Sequence, residues 1–216
     1  MKRRQWLASM GTVLSGSVVG CVSNSDDTQQ PPNESDTNDG TTTADEDEDE
    51  TELTGHIRPD GEPETVPTDL TCPDESFTRF PTRYDEVRWG DTDKLSFRVT
   101  DDAIEHGDTV RATLRSTDYV SMGTEQQGQV ELYTEEGWKE VRGRFGDGEF
   151  EFTDLGAELP PTEEFEWEFP FTEAGVVDAF HREFDLEVLP DLPAGRYRLV
   201  FSGYEPAPAV AFDVGR

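Results

Sequence analysis

The run Phe165-Glu166-Trp167-Glu168-Phe169-Pro170-Phe171 constrains the fold more than any other stretch of this chain. On an extended backbone, four aromatic rings fall on one side, and Glu166, Glu168 and Pro170 fall on the other. A helix would spread the same rings around its circumference, so the run reads as a strand with one face in a core. Core packing is the simplest role for Phe165, Trp167, Phe169 and Phe171. An exposed platform for carbohydrate or a partner strand is the functional alternative, but four clustered exposed rings would invite aggregation. Pro170 has no N–H to give a ladder, which places it at a strand end or a sheet edge.

The same period recurs through the last two thirds of the chain. Val110, Ala112 and Leu114 alternate with Thr109, Arg111, Thr113 and Arg115. Tyr197, Leu199 and Phe201 alternate with Arg196, Arg198 and Val200, and Val210, Phe212 and Val214 close the series. Val130–Tyr133 and Trp138–Val141 flank the turn-like Thr134-Glu135-Glu136-Gly137 and read as a hairpin. Phe145, Phe150 and Phe152 surround a second turn at Gly146-Asp147-Gly148. In Gly175–Phe184, by contrast, Val177, Phe180, His181 and Phe184 recur at helical spacing. The expectation is an all-β antiparallel sandwich over residues 71–216, with one short inserted helix plugging an end. That length suits one domain of ordinary size.

Ahead of it lies a segment with nothing to bury. Residues 22–52 are almost entirely Ser, Thr, Asn, Asp, Glu, Gln, Pro and Gly, and they end in the acidic run 45–50. Low hydrophobicity and high charge leave the ordering entropy unopposed, so residues 21–70 read as a disordered acidic linker. The whole chain carries 49 Asp and Glu against 18 Lys and Arg, a formal charge of −31. No basic stripe exists to displace counterions, which excludes nucleic acid as a partner. Lysine is nearly absent, since only Lys94 and Lys139 follow Lys2. At ~1 M salt the Debye length falls to ~3 Å, and repulsion among these carboxylates is screened. In dilute buffer the same repulsion opposes the compact state.

The first twenty residues have a different logic. Arg3-Arg4 precedes Trp6-Leu7 and a short apolar run diluted by Gly and Ser, and Val18-Val19-Gly20 leads into Cys21. A spanning helix needs ~20 apolar residues, more than this run offers. The stretch resembles a twin-arginine export signal joined to a lipobox, with Cys21 as the acylated residue. That resemblance implies cleavage before Cys21 and a lipid anchor on the outer face of the cell membrane. More than one acyl chain would be needed for stable retention. Together with the acidic, Thr-rich linker and the lysine-poor composition, the pattern is similar to haloarchaeal lipoproteins.

From about residue 92 the order of features resembles a bacterial-type immunoglobulin-like domain of envelope lipoproteins. The matching pieces are Asp108–Leu114, the hairpin from Val130 to Val141, and the closing Leu192-Pro193-Ala194-Gly195-Arg196-Tyr197-Arg198-Leu199-Val200-Phe201. In the last of these a Pro/Gly turn delivers a tyrosine into the penultimate strand. The resemblance implies a surface-exposed all-β module and brings no catalytic residues with it. The long interval Pro160–Leu189 departs from the pattern.

Few side chains offer chemistry. Cys72 is the one cysteine left once Cys21 is acylated, so it reads as a free thiol without an intramolecular disulfide partner. His56, His106 and His181 are too scattered for a metal site, and Val188–Arg216 holds no Cys, His or Met, which excludes a blue-copper centre. Asp101, Asp102, Glu105 and Asp108 lack the order of a defined calcium loop and read as a solvated acidic surface. Ser121 sits in Ser-Met-Gly without the flanks of a nucleophile elbow, and no phosphate loop occurs. No cofactor, metal or catalytic group is expected. The sequence thus points to a non-enzymatic, lipid-anchored surface module that meets an envelope protein or a surface polymer. An accessory solute-binding lipoprotein of a transport system is the alternative.

Overall fold

The period-two segments become strands where expected. The computed structural model describes residues 53–72, 74–146, 149–150, 152, 155–180 and 184–216. Arg3, Arg4, Cys21, His181 and the linker through residue 52 lie outside the described residues. The elements are β1 (Phe77–Arg79), β2 (Val87–Trp89), β3 (Leu95–Val99), β4 (Ala103–Glu105), β5 (Thr109–Ser116), β6 (Val120–Gly123), β7 (Gly128–Thr134), β8 (Gly137–Glu140), β9 (Arg142–Phe145), β10 (Gly156–Leu159) and β11 (Glu164–Pro170). They continue with α1 (Glu173–Ala179), β12 (Glu187–Val188), β13 (Gly195–Phe201) and β14 (Ala207–Gly215). No helix among the described residues is long and apolar enough to cross a membrane.

The fold is an all-β sandwich. A three-stranded antiparallel sheet, β11–β5–β3, faces a six-stranded sheet ordered β2–β14–β13–β7–β8, with β4 also paired to β14. Two smaller sheets, β1–β9–β12 and β10–β6, flank them. Leu95, Phe97, Leu114, Trp167 and Phe169 from the first sheet, with Phe171 just beyond β11, share one core with Val130, Leu132, Tyr197, Leu199, Phe201 and Phe212 from the second. Rings meet across the gap: Phe171 lies 4.7 Å from Tyr197 and 5.5 Å from Phe212, both edge-on, the geometry aromatic pairs favour. The Tyr197 hydroxyl donates to the Pro193 carbonyl at 2.6 Å, fixing the Pro/Gly turn against the strand it feeds.

The strand Glu164–Pro170 pairs along its length with β5 and lies at the sheet edge, with Pro170 as its last residue. The hairpin β7–β8 closes as read, with Thr134 opposite Gly137. The helix starts and stops earlier than its spacing suggested. Thr172 caps α1 by accepting from the Gly175 N–H at 3.1 Å, and Phe180 already has extended backbone. Gly175 is required there, because a Cβ would lie 2.0 Å from the Pro170 carbonyl oxygen. Phe180 leaves the helix to pack 5.5 Å from Trp167 and over Gly128.

Residues 56–70 read as the end of the linker in the sequence, but they lie along the sandwich. His56 forms a bridge with Val99, the Ile57 carbonyl accepts from Ala211 N–H, and Pro67 accepts from Glu135 N–H. Leu70 is buried, and its carbonyl accepts from Arg79, which also reaches the carbonyls of Glu140, Val141 and Leu189. The cause is a gap in the six-stranded sheet. The outer edge of β14 pairs in parallel with β2 near Ala207–Ala209 and with β4 near Asp213–Gly215. Between the two, Ala211 N–H is satisfied by Ile57. A Pro- and Gly-rich segment without alternation has no strand signature, yet its carbonyl answers a buried donor that must be paired.

Candidate ligand site

The outer face of the six-stranded sheet holds charge under cover. Along β7, Val130 and Leu132 point into the core, so Glu131 and Tyr133 point the other way. Along β13, Arg196 and Arg198 do the same. Glu131 is 1% exposed and Arg198 7%. Arg198 Nε donates to Glu131 at 2.6 Å, its Nη2 donates to the Tyr84 hydroxyl at 2.7 Å, and that hydroxyl donates to the second Glu131 oxygen at 2.7 Å. The three groups form a closed ring of hydrogen bonds. Burial lifts the Glu131 carboxyl above its ordinary value, against the opposing pull of Arg198 and Tyr84. Burial and the adjacent Glu131 charge also push the Tyr84 phenol well up.

A second buried pair sits beside it. Arg142 is fully buried and forks onto Glu140, with Nε at 2.8 Å and Nη2 at 3.1 Å, and Nη2 also reaches the Gly128 carbonyl. Glu140 in turn accepts from the Val130 N–H at 3.1 Å and from the Gln129 side chain. These residues pin the root of the β7–β8 hairpin, whose tip carries Tyr133 and Trp138.

Above the charged layer is a cavity of about 320 Å³. Its walls include Trp89 from β2, Tyr133 and Trp138 from the hairpin, Arg196 from β13, and the strap from Arg58 to Pro63. Tyr133 and Trp138 are cross-strand partners with ring centroids 5.1 Å apart, and Trp89 lies 6.0 Å from Trp138. The Arg198 guanidinium is 4.3 Å from the Trp138 centroid and 5.9 Å from that of Trp89, so one buried cation holds both rings. Arg58 lies 5.8 Å from Trp89 at the exposed rim. Arg196 is bound at two points to Asp213, at 2.7 and 2.9 Å, and donates to the Gly61 carbonyl at 2.8 Å. That pairing raises the Arg196 pKa. The volume falls in the ligand-pocket range of about 300–1,000 Å³, and a few polar groups converge on partly exposed aromatics, as ligand sites require.

Two other recesses among the described residues are built differently. A larger one of about 920 Å³ beside Ile104, Pro193 and Val214 has neither an aromatic ring nor a buried charge in its walls. One of about 440 Å³ runs along the β11 edge and α1, lined by Glu166, Glu168 and Asp178 and by Trp167 and Phe169, whose rings are buried in the sandwich core.

The sequence singled out other residues. Trp167, Phe169 and Phe171 are buried, Phe165 is partly buried against the same core, and Trp167 Nε1–H donates to the Glu125 carbonyl. They form the sandwich interior. Cys72 is a half-buried free thiol. His56 faces Asp102 at 3.7 Å and His106 faces Glu173 at 3.5 Å, both at the surface. Asp108 accepts from the Glu105 N–H in a tight turn, and among the described residues no three His, Cys, Asp or Glu are grouped to hold a metal. Trp89, Tyr133, Trp138 and the Glu131–Arg198 pair were not singled out. One signal was available: in Val130–Tyr133 an aromatic ring shares the polar face with Glu131, next to a turn and opposite a tryptophan.

No protein-family model matches the chain, and no curated protein matches it. Among solved structures it is similar to a β-glucosidase from Listeria innocua, crystallised with glucose, at 15% identity and a TM-score of 0.28. The likeness covers 57% of this chain, which spans 16% of the enzyme's length. A likeness of that size carries no argument about activity.

Proposed function

We propose that this chain is a non-enzymatic recognition module, held by lipid on Cys21 at the outer face of the cell membrane, that meets an envelope polymer or protein through the Trp89–Tyr133–Trp138 cavity. The observation that carries the reading is the cavity itself: partly exposed rings held on a buried, ion-paired charge. Such a site is preorganised for binding, and it sets no nucleophile against a base. The leader motif supports the anchor. The Tyr197–Pro193 contact supports the immunoglobulin-like resemblance, in which such a corner locks the closing strands.

The same cavity also fits an accessory solute binder, since about 320 Å³ accommodates a small molecule. Two experiments test the reading. Cys21→Ser is expected to release the protein from membranes into the medium, and continued membrane retention would remove the anchor. Cross-linking of the full chain in native envelopes, in multimolar KCl, is expected to give one stoichiometric polymer or protein adduct that Trp138→Ala abolishes. Adducts indifferent to Trp138 would move the recognition surface elsewhere. No adduct, together with saturable uptake of a small solute, would favour the solute binder.

A further inference from the structure

We infer that the Trp89–Tyr133–Trp138 cavity takes a neutral sugar ring, one unit of a glycan; this rests on the recognition reading above and names its ligand class. An anionic ligand would need a free cation, but Arg196 is held at two points by Asp213 and Arg198 is enclosed by Glu131 and Tyr84. Arg58 remains at the rim, and the carboxylates of Asp60 and Glu62 line the same wall, so the opening has no net attraction for anions. A cationic ligand would meet the positive charges of Arg58 and Arg198, which already lie beside Trp89 and Trp138 and repel a second cation without covering the open side of the rings.

What remains is a ligand that packs on aromatic rings without charge and offers hydroxyls to fixed polar groups. A pyranose does both: its axial C–H face is apolar, and its rim of hydroxyls can donate to Asp60 and Glu62 and accept from Arg58. Salt sharpens the choice. The formal charge of −31 is tolerable where ionic interactions are screened within ~3 Å at ~1 M salt. Ring stacking and direct hydrogen bonds act at contact and survive that screening, whereas long-range attraction of a charged ligand does not.

The test is a titration of the full chain in multimolar KCl, read by tryptophan fluorescence and by calorimetry. The probes are cellobiose, maltose and chitobiose, with glucuronate as the anionic control and tetramethylammonium chloride as the cationic one. The expected result is saturable binding of at least one neutral disaccharide, and weaker or no binding of both controls. Trp138→Ala is expected to weaken that binding by about tenfold or more, and Asp60→Ala by severalfold. Asp60 is exposed and outside the buried layer, so its variant keeps the test valid if Trp138→Ala fails to fold. Binding of a control alone, binding of no neutral disaccharide, or sugar binding unmoved by the folded variants would each overturn the inference. Failure of the sugars with a Trp138-dependent envelope adduct retained would leave the recognition reading standing. Loss of both would remove it as well.

Discussion

On the inner face of the six-stranded sheet, Leu132, Tyr197, Leu199 and Phe212 meet aromatic and aliphatic side chains of the opposing sheet. One position along the same strands, Glu131, Arg196, Arg198 and Ala211 face outward, and they are covered as well. The cover there is the strap from Ile57 to Pro63 and the loop bearing Tyr84, and the contacts are charges, a phenol and three aromatic rings. The inner face derives stability from area removed from water, in proportion to volume filled. The outer face holds charges at a desolvation cost, in exchange for a fixed geometry beneath the cavity. Burial alone therefore does not say what a face contributes.

The comparison breaks first if salt does not separate the folded and unfolded chain. Thermal unfolding followed by circular dichroism is expected to show a cooperative transition in about 3 M KCl and loss of the folded state in about 0.1 M KCl, where screening fails. Equal melting temperatures would contradict the role given to the acidic surface. Among single substitutions, Phe212→Ala on the inner face is expected to cost about 3–5 kcal/mol, as a cavity among rings that cannot collapse.

On the outer face the prediction is a difference between single and paired changes. Arg198→Met alone leaves Glu131 buried without its cation and is expected to cost about 3–5 kcal/mol in chemical denaturation. Arg198→Met combined with Glu131→Leu is expected to recover most of that loss while weakening ligand binding, because the support under Trp138 is gone. If the double change were as destabilising as the single one, the outer layer would be acting as ordinary core.

A smaller effect reports on both faces together. Tyr197 inside and Tyr84 outside hold their phenols above the ordinary value of 10.0, burial being the main cause. The unfolded chain ionises near that value and the folded one cannot follow. Their contribution to stability is therefore complete below pH 10.0 and is lost as pH rises past it. Tyrosinate absorbance is expected to lag in the folded chain and to rise together with unfolding. Free titration of every tyrosine ahead of unfolding would contradict their burial. Asp60→Ala, at the rim, is expected to change stability by no more than about 0.5 kcal/mol.

Much of the fold was legible because alternation is a direct imprint of the pleat. The strand Glu164–Pro170 and the β7–β8 hairpin follow from residue order, and Pro170 leaves a choice between strand end and sheet edge that the structure answers with both. The helix was legible in kind but shifted, since its start is set by Thr172 capping Gly175 and its end by Phe180 turning into the core. The strap from residue 56 was not legible, because a carbonyl that answers Ala211 leaves no side-chain pattern. The candidate site was mostly hidden for a related reason. Alternation tells which side of a strand Arg198 faces, but not whether another segment covers that side. Glu131 and Arg198 look like solvent-facing residues until Tyr84 and the strap are placed over them.

The most direct test places a single tryptophan on each side of the sheet. Two chains would retain either Trp138 or Trp167 with the other tryptophans changed to Phe, and each would be titrated with acrylamide in multimolar KCl. The expected result is ready quenching of Trp138, reduced when a bound sugar fills the cavity, and little quenching of Trp167, which is 7% exposed. Equal quenching of the two, or quenching of Trp138 that no ligand protects, would contradict an open binding face set against a sealed core.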